Sequence, residues 1–584
     1  MREGGKGFLW QAFRTTFKAN YIHGLLVIVS VVAGAFISTL PSLILRTIVD
    51  ESLLMGGGGL WLLAFTYLGA VLLIGLNDLA REYGAMVFGQ RMLLNLRSQM
   101  LSFLRVLPIS YYNNTPAGET MARFTADIDA INSLFSAGLV TAIADLFKII
   151  GFLSALFLLS RPLGVVAICA LPVLYIVTDY FRRNIYQKQL AVRRKVSDIN
   201  TAIHEIYSGI KVIKVYGRER RFAELFEPTL ESHRVAMNAN SVYDAWFPCL
   251  TQTIRAVVIA TALSIGASNN LTFLALGLSL GTLAAAADLF IRLFEPIEAI
   301  SGEMQTVQQA MAGISRVEAF FQQETEKKES TQDAAVPSEN VEVVIKDIFF
   351  SYGGGDVLHG ASVSIPAGSK AAIAGRTGSG KTTLMNLVAG LYPAKRGHVK
   401  VGGLDPHTLP PDQRRRLVGI VPQTVHIFNA SVHENVTLRD DRINHVKVQE
   451  ALETVGLWPT IQHLPQGVDT QLGEGAQQLS HGQTQLLSLA RAIVTDPPLL
   501  LLDELTSGLD TLTERQVLAA IRGISEKRTI LTISHRLSGI IDADMVHIME
   551  GGKIVESGRP EALAQREGWY SIYKRLEDRG WRIS

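Results

Sequence analysis

Apolar residues follow two regimes along the chain. Up to about residue 325 they come in long, nearly uninterrupted runs; from residue 341 they come in short runs between polar turns. Six stretches of the first regime, near 21–48, 59–85, 136–160, 163–183, 244–267 and 271–296, reach the roughly 20 residues that cross a hydrocarbon core. Ahead of them, Gly7–Lys18 sets Phe8, Leu9, Trp10, Phe13 and Phe17 against Lys6, Arg14 and Lys18, the pattern of a helix lying in a membrane interface. Three connections between spans are short: Gly56–Gly59, Arg161-Pro162 and Ser268-Asn269-Asn270. The other two, 86–135 and 184–243, are long. In Ile199–Tyr216 apolar residues recur at three- and four-residue spacing, so the spans are predicted to continue as helices beyond the membrane and turn back.

Composition agrees with a membrane protein. Hydrophobic residues make up 48% and charged residues 18%, against about 25% charged in soluble domains. Net charge is +2, which argues against a nucleic-acid binder as a whole. Basic residues concentrate in the long connections (Arg91, Arg97, Arg105 and Arg123 in one; Lys188, Arg193, Arg194, Lys195, Lys211 and Lys214 among those in the other). The positive-inside bias therefore puts both connections and both termini in the cytosol, and a local nucleic-acid patch is the rival reading for the second. The first long apolar run is too long for a secretory leader. With the short outward connections and the lack of a transit sequence, this fits a bacterial inner or plasma membrane. Cys169 and Cys249 lie in apolar runs and read as core or lipid-facing residues rather than a disulfide or metal site.

Ionisable residues occur within the spans or at their ends: Asp78, Arg81, Glu82, Asp145, Lys148, Asp179, Arg255, Asp288, Arg292 and Glu295. Charges at membrane depth face a bundle interior or water. Asp145 with Lys148 and Asp288 with Arg292 stand at helical neighbour spacing and read as ion pairs. Arg255 has no local partner and reads as a group facing a translocation path.

Residues 322–340 are polar and charge-rich, a linker. Beyond them the pattern is of buried strands alternating with helices, an α/β domain. The run Lys370–Ala374 reads as a strand, Thr383–Leu391 has helical spacing, and between them Gly375-Arg376-Thr377-Gly378-Ser379-Gly380-Lys381-Thr382 fits a phosphate-binding loop. Glycines there let backbone N–H groups curl around phosphate oxygens, and the following helix adds its positive end. Lys381 would reach the β- and γ-phosphates of ATP, and Thr382 would hold Mg²⁺. The apolar strand Leu499–Leu502 ends in Asp503-Glu504, a Mg²⁺ ligand followed by a carboxylate placed to activate water. Thr529–Ile533 delivers Ser534-His535 to the same edge, Gln423 follows the strand Val418–Val421, and Tyr352 could stack on adenine.

Leu479-Ser480-His481-Gly482-Gln483 resembles the LSGGQ signature of ABC transporters. The resemblance extends over the chain: Tyr352 as an adenine loop, Gly375–Thr383 as the ATP-binding loop, Gln423 as the Q-loop, Gly473-Glu474-Gly475 leading to the signature, Asp503 and Glu504, Ser507 to Asp510 as the D-loop, and His535. Tyr111–Ile131 and Gly209–Glu219 look like the two cytosolic coupling regions of the exporter (type IV) branch. It implies an interfacial helix (1–20), an all-α transmembrane domain (21–321), a linker (322–340) and an α/β ATP-binding domain (341–584). It further implies catalytic Glu504, His535 and Gln423, with Mg²⁺ on Thr382, Gln423 and Asp503. It also implies a dimer in which each ATP lies between one subunit's phosphate loop and the other's signature.

The pattern departs from the family at His481, where glycine is usual, at Thr484 and Leu486 after the signature, and at Leu505 and Gly508 around the D-loop. Lys381, Asp503, Glu504 and His535 are intact. That split points to a heterodimer in which this chain supplies a competent phosphate-loop side and a weakened signature; a homodimer tolerating His481 is the alternative. The expected activity is ATP-driven export of an amphipathic compound, lipid or peptide across the membrane lipids. An importer of metal chelates built on the same fold, and a membrane-tethered ATP sensor, are the competing readings.

Overall fold

A computed structural model describes residues 14–53, 60–267, 279–326, 335–473, 478–505, 509–525, 528–534 and 543–578. The chain forms two compact units, one from residues up to Glu324 without Pro108–Asn114, the other from those seven residues and Thr325 onward.

The first unit is helical. Its long elements are α1 (Tyr21–Ile37), α2 (Leu40–Thr47), α3 (Leu60–Leu104), α4 (Leu139–Leu159), α5 (Arg161–Ser208), α6 (Glu219–Ala267) and α7 (Leu280–Phe321). Residues 14–19 of the expected interfacial helix are helical; the rest of it lies outside the described residues. Five helical stretches among the described residues are long and apolar enough to cross a membrane. The sixth expected span begins outside them, and its described part, the first half of α7, carries Asp288, Arg292 and Glu295 toward its end. As the spacing predicted, α5 and α6 run far past the membrane length, at 48 and 49 residues. The short helix Ile210–Val215 lies between them. Ser160 starts α5 in an extended conformation, and Pro162 fits the first turn because its missing N–H would find no helical acceptor there.

Packing in this unit is apolar and central. Phe152, Leu156, Leu163, Leu174, Leu289, Phe290, Leu293 and Phe294 form one buried cluster across α4, α5 and α7. The ion pairs expected from spacing are present: Lys148 to Asp145 at 3.6 Å and Arg292 to Asp288 at 2.8 Å. Arg255 corrects the sequence reading. Its partner is Glu298, 3.1 Å away on α7, and its guanidinium also lies 5.5 Å from the Phe294 ring centroid. A partner 43 residues away leaves no mark in local spacing.

In the second unit, eleven strands are introduced in chain order: β1 (Val343–Phe350), β2 (Leu358–Ile365), β3 (Lys370–Ala374), β4 (Arg396–Val401), β5 (Val418–Val421), β6 (Ala430–Ser431), β7 (Gln471–Leu472), β8 (Leu499–Asp503), β9 (Thr529–Ile533), β10 (Met545–Glu550) and β11 (Lys553–Gly558). The main sheet runs β11-β10-β3-β9-β8-β5, parallel except for the β11 edge; β2-β1-β4 form an antiparallel sheet and β6-β7 a short pair. The parallel strands are buried on both faces, so they read as continuous apolar runs. In β8, Leu499 and Leu501 pack into one core cluster, and Leu500 and Leu502 into the cluster on the other face. The seven residues Pro108–Asn114 join this unit: Ile109 packs on its core, and the Asn113 amide donates to the Tyr392 hydroxyl at 2.5 Å.

His547 on β10 is buried in this unit, with Nδ1 2.9 Å from the Ser557 hydroxyl and Nε2 without a partner. Burial pushes its imidazole down to about 4 from 6.5. Above pH 6.5 both folded and unfolded forms are neutral and the residue is indifferent to pH. Below it the unfolded chain takes up a proton that the folded one refuses, so stability falls until about pH 4. At pH 5 the penalty is about 2 kcal/mol. The protection factors of Met545–Glu550, with the intrinsic exchange rate at each pH divided out, are expected to fall between pH 7 and 5, and His547→Leu to flatten that dependence.

Candidate functional site

The carboxyl ends of β3, β5, β8 and β9 line up along one edge, as the pairings Val421 with Leu502, Asp503 with Ile533 and Ile373 with Ile533 require. In an open parallel sheet that edge is where ligands bind. The phosphate loop, Gln423 and the Asp503-Glu504 pair leave strands here. Ser534 stands at the end of β9; His535 and Ser507 lie outside the described residues, as does the Glu474-Gly475 pair.

From β3 the chain turns through Gly375, Gly378 and Gly380, all at positive φ (151°, 81° and 104°), into helix α8 (Lys381–Val388). At Gly375 the constraint is steric as well, since a Cβ would come within 2.1 Å of the Met549 carbonyl. The loop folds around its own lysine: the buried Lys381 ammonium donates to the carbonyls of Gly375 at 3.0 Å and Arg376 at 2.9 Å. Burial lowers its pKa, opposed by the charges of Glu504 and Asp503. A buried ammonium at the glycine-rich start of a helix, where backbone N–H groups are left free, suits an anion.

Asp503 and Glu504 differ in surroundings. Asp503 is buried, accepts a hydrogen bond from the Thr382 hydroxyl, and keeps Oδ1 without a partner. Burial, and then the charge of Glu504, push its carboxyl up to about 6, against the pull of Lys381 and Thr382. A divalent cation there would ionise it fully, and the unsatisfied Oδ1 with the Thr382 hydroxyl is a hard-oxygen set that suits Mg²⁺. Glu504 leaves β8 in the left-handed region, φ 48°, a conformation rare for a residue with a side chain and frequent at functional sites. Its Oε2 accepts from the Gln423 amide at 2.7 Å. The structure thus brings Lys381, Thr382, Asp503, Glu504 and Gln423 together.

Tyr352 follows β1, half-exposed, its hydroxyl donating to Thr383 at 3.3 Å. The ring stands edge-on to Phe350 and to Tyr392, with centroids 4.8 and 5.2 Å apart. Tyr392 was not singled out by the sequence. It sits in a Leu-Tyr-Pro turn after α8, and only the fold shows it beneath Tyr352.

The signature segment opens helix α9 (His481–Ile493). Ser480 caps it in a reciprocal capping box with Gln483, and Leu479 packs on the core. His481 is the first helical residue, exposed, with its ring clear of the core. Gly482 is confined: a Cβ would meet the Thr513 methyl at 1.9 Å, while the Thr513 hydroxyl and N–H both bond to the Asp510 carboxylate. The signature glycine therefore packs on the turn that starts helix α10 (Thr511–Ile524), a contact made by residues 31 apart in sequence and invisible in it.

Comparison with known proteins gives the family and the fold. The family model described as the ABC transporter transmembrane region matches residues 22–296, and the one described as ABC transporter matches residues 358–507. A "Probable multidrug resistance ABC transporter ATP-binding/permease protein" of Bacillus subtilis is 31% identical over 525 residues, 88% of this chain and 77% of that protein. The chain belongs to the ABC transporter family. An ATP-dependent lipid A-core flippase of Desulfotalea psychrophila is 28% identical, covering 84% of the chain and 85% of its own length. The structure of a bacterial Atm1-family ABC exporter with ATP bound superposes with a TM-score of 0.75, at 23% identity, over 95% of this chain and 98% of that one, so the fold is that of an exporter. The transporter is a multi-pass protein of the bacterial inner membrane that binds and hydrolyses ATP and couples this to transport. Neither a chelate importer nor a tethered sensor gains support from these relatives. Half-transporters of this kind, with one membrane region and one nucleotide domain, commonly dimerise.

Proposed function

We propose that this chain is one half of a heterodimeric exporter of amphipathic solutes, with its termini in the cytosol and its own phosphate-loop side competent for catalysis. The observation that carries the reading is the cluster at the sheet edge: Lys381 in its carbonyl ring, Asp503 with an unsatisfied oxygen beside Thr382, and Glu504 held by Gln423. In this reading Gly375–Thr383 cradle the phosphates, Tyr352 stacks on the adenine, and Thr382, Asp503 and Gln423 hold Mg²⁺. The metal would shield the charge that develops on the transferred phosphoryl group. Glu504 accepts the proton of the attacking water, and His535 contacts the γ-phosphate.

The signature side supports the heterodimer. His481 occupies the helix start that would approach a partner's nucleotide, and its imidazole is exposed there. A second chain with an unmodified signature would complete the site on Lys381 and Glu504. Its relatives' names span a multidrug transporter and lipid A-core flippases, and the class these share is an amphipathic solute. Residues 1–20, 21–321, 322–340 and 341–584 serve as interfacial helix, transport domain, linker and motor.

The purified chain alone, in lipid nanodiscs, is expected to bind ATP and turn it over little. Co-expression with a second half-transporter is expected to raise turnover at least about ten-fold, the effect of one buried charged or close-approach contact at a catalytic interface. High turnover by the chain alone would instead mean a homodimer in which His481 is tolerated.

A further inference from the structure

The loop that starts at Gln423 has little of its own to hold it. Gln423 follows β5, and the next strand, β6, begins only at Ala430. Among the described residues, the N–H and carbonyl groups of 424–429 make no hydrogen bond to another backbone group. Two side chains take that place. Asn435, fully buried in the short helix Val432–Thr437, accepts from the Phe428 N–H at 2.9 Å and donates back to the Phe428 carbonyl at 3.0 Å. Arg491 holds the loop from the other side. It lies on α9, the helix that the signature segment opens.

The Arg491 guanidinium meets three acceptors at once. Its Nε donates to the Asn435 carbonyl at 2.8 Å, which the last turn of a helix leaves without an internal donor. One Nη donates to the Asn435 side-chain oxygen at 3.2 Å, and the other to the His426 carbonyl at 3.1 Å. The Phe428 ring centroid lies 5.6 Å from the same guanidinium, within cation–π range. Arg491 is half-buried. Burial lowers its pKa, and among the described residues no neighbouring carboxylate counters the effect. A cation drawn out of water without a counter-ion is costly, and an apolar side chain of similar size would fill the space without that cost. What the arginine adds is its fork, and every hydrogen bond of the fork goes to the loop or to the asparagine that anchors it. His426 stands three residues after Gln423, whose amide donates to Glu504 at 2.7 Å.

We infer that Arg491 is a positioning residue for ATP hydrolysis: from the signature helix it fixes the loop that holds the Gln423 amide against Glu504. This rests on the roles proposed above for Gln423 and Glu504. Without the fork the loop keeps Asn435 at Phe428 but loses its hold at His426, the point nearer Gln423. The Gln423 amide then leaves Glu504 more often, and the carboxylate is less well placed for the attacking water. None of the hydrogen bonds of Arg491 goes to the phosphate loop, so ATP affinity is untouched.

The test compares the assembled transporter with its Arg491→Lys form. Lysine keeps the positive charge but cannot meet three acceptors in one plane. Turnover is expected to fall at least about ten-fold, the scale of a small misplacement of a catalytic group, while half-saturating MgATP stays within about two-fold. Thermal unfolding scores the fold separately. If the lysine variant fails to fold, Arg491→Gln, uncharged and able to donate to one carbonyl, is read in the same way. In a Gln423→Ala background there is no amide left to position, so Arg491→Lys is expected to change turnover by no more than about two-fold. A merely structural arginine would lower turnover by the same factor in both backgrounds. That result would overturn the inference, as would turnover within two-fold of the parent in Arg491→Lys, or half-saturation that shifts in step with turnover. Glu504→Gln sets the floor. A parent transporter at that floor overturns the catalytic reading itself, whereas a parent well above it with Arg491→Lys unmoved overturns only the role of Arg491.

Discussion

Glu504→Gln is expected to leave ATP binding intact and to lower ATP turnover of the assembled transporter at least about a hundred-fold, the share commonly supplied by a positioned general base. Glutamine keeps the size of the side chain and can still meet the Gln423 amide, 2.7 Å from the carboxylate in the wild type. It cannot accept a proton from water. The strained backbone at φ 48° is also unchanged, so the variant should fold as the parent does. Equilibrium binding of a fluorescent ATP analogue, measured beside phosphate release, checks both halves of the statement. Turnover within two-fold of the parent would remove Glu504 from its proposed role.

The second large effect lies at Lys381. Lys381→Ala is expected to weaken ATP by more than about a hundred-fold, or ~3 kcal/mol, because the phosphates would enter a buried site without its cation. The ammonium is buried and points at the loop carbonyls of Gly375 and Arg376. Its removal leaves two acceptors in the path of the phosphates and nothing to balance the anion. Isothermal titration of the full chain with MgATP reads this directly. Arginine is not expected to restore binding, since its planar fork cannot replace a compact ammonium inside a ring built for one. The contrast between the two variants is diagnostic: one binds and stalls, the other does not bind.

The sequence was most informative where chemistry and chain direction coincide. The phosphate loop was legible because three glycines at positive φ, a lysine and a threonine must fall within eight residues between a strand and a helix. Asp503 and Glu504 were legible because a parallel strand buried on both faces is a plain apolar run, and its end is conspicuous. The long helical extensions α5 and α6 followed from spacing alone.

What stayed hidden depends on contacts distant in sequence. Glu298 as the partner of Arg255, Thr513 against Gly482, and Tyr392 beneath Tyr352 each join elements that only the fold brings together. The membership of Pro108–Asn114 in the nucleotide unit is of the same kind. Expected pairs on one helix, such as Asp145 with Lys148, could be read from spacing because a helix fixes its own neighbours.

The central claim is that ATP hydrolysis at this chain's own phosphate-loop side drives solute movement. Its most direct test is ATP-dependent accumulation of a fluorescent amphiphile in inside-out membrane vesicles from cells that co-express the chain and its partner half. The account predicts accumulation with the parent chain and background levels with Glu504→Gln at equal protein. Equal accumulation with both would contradict it, because the movement would then be driven from somewhere other than this site.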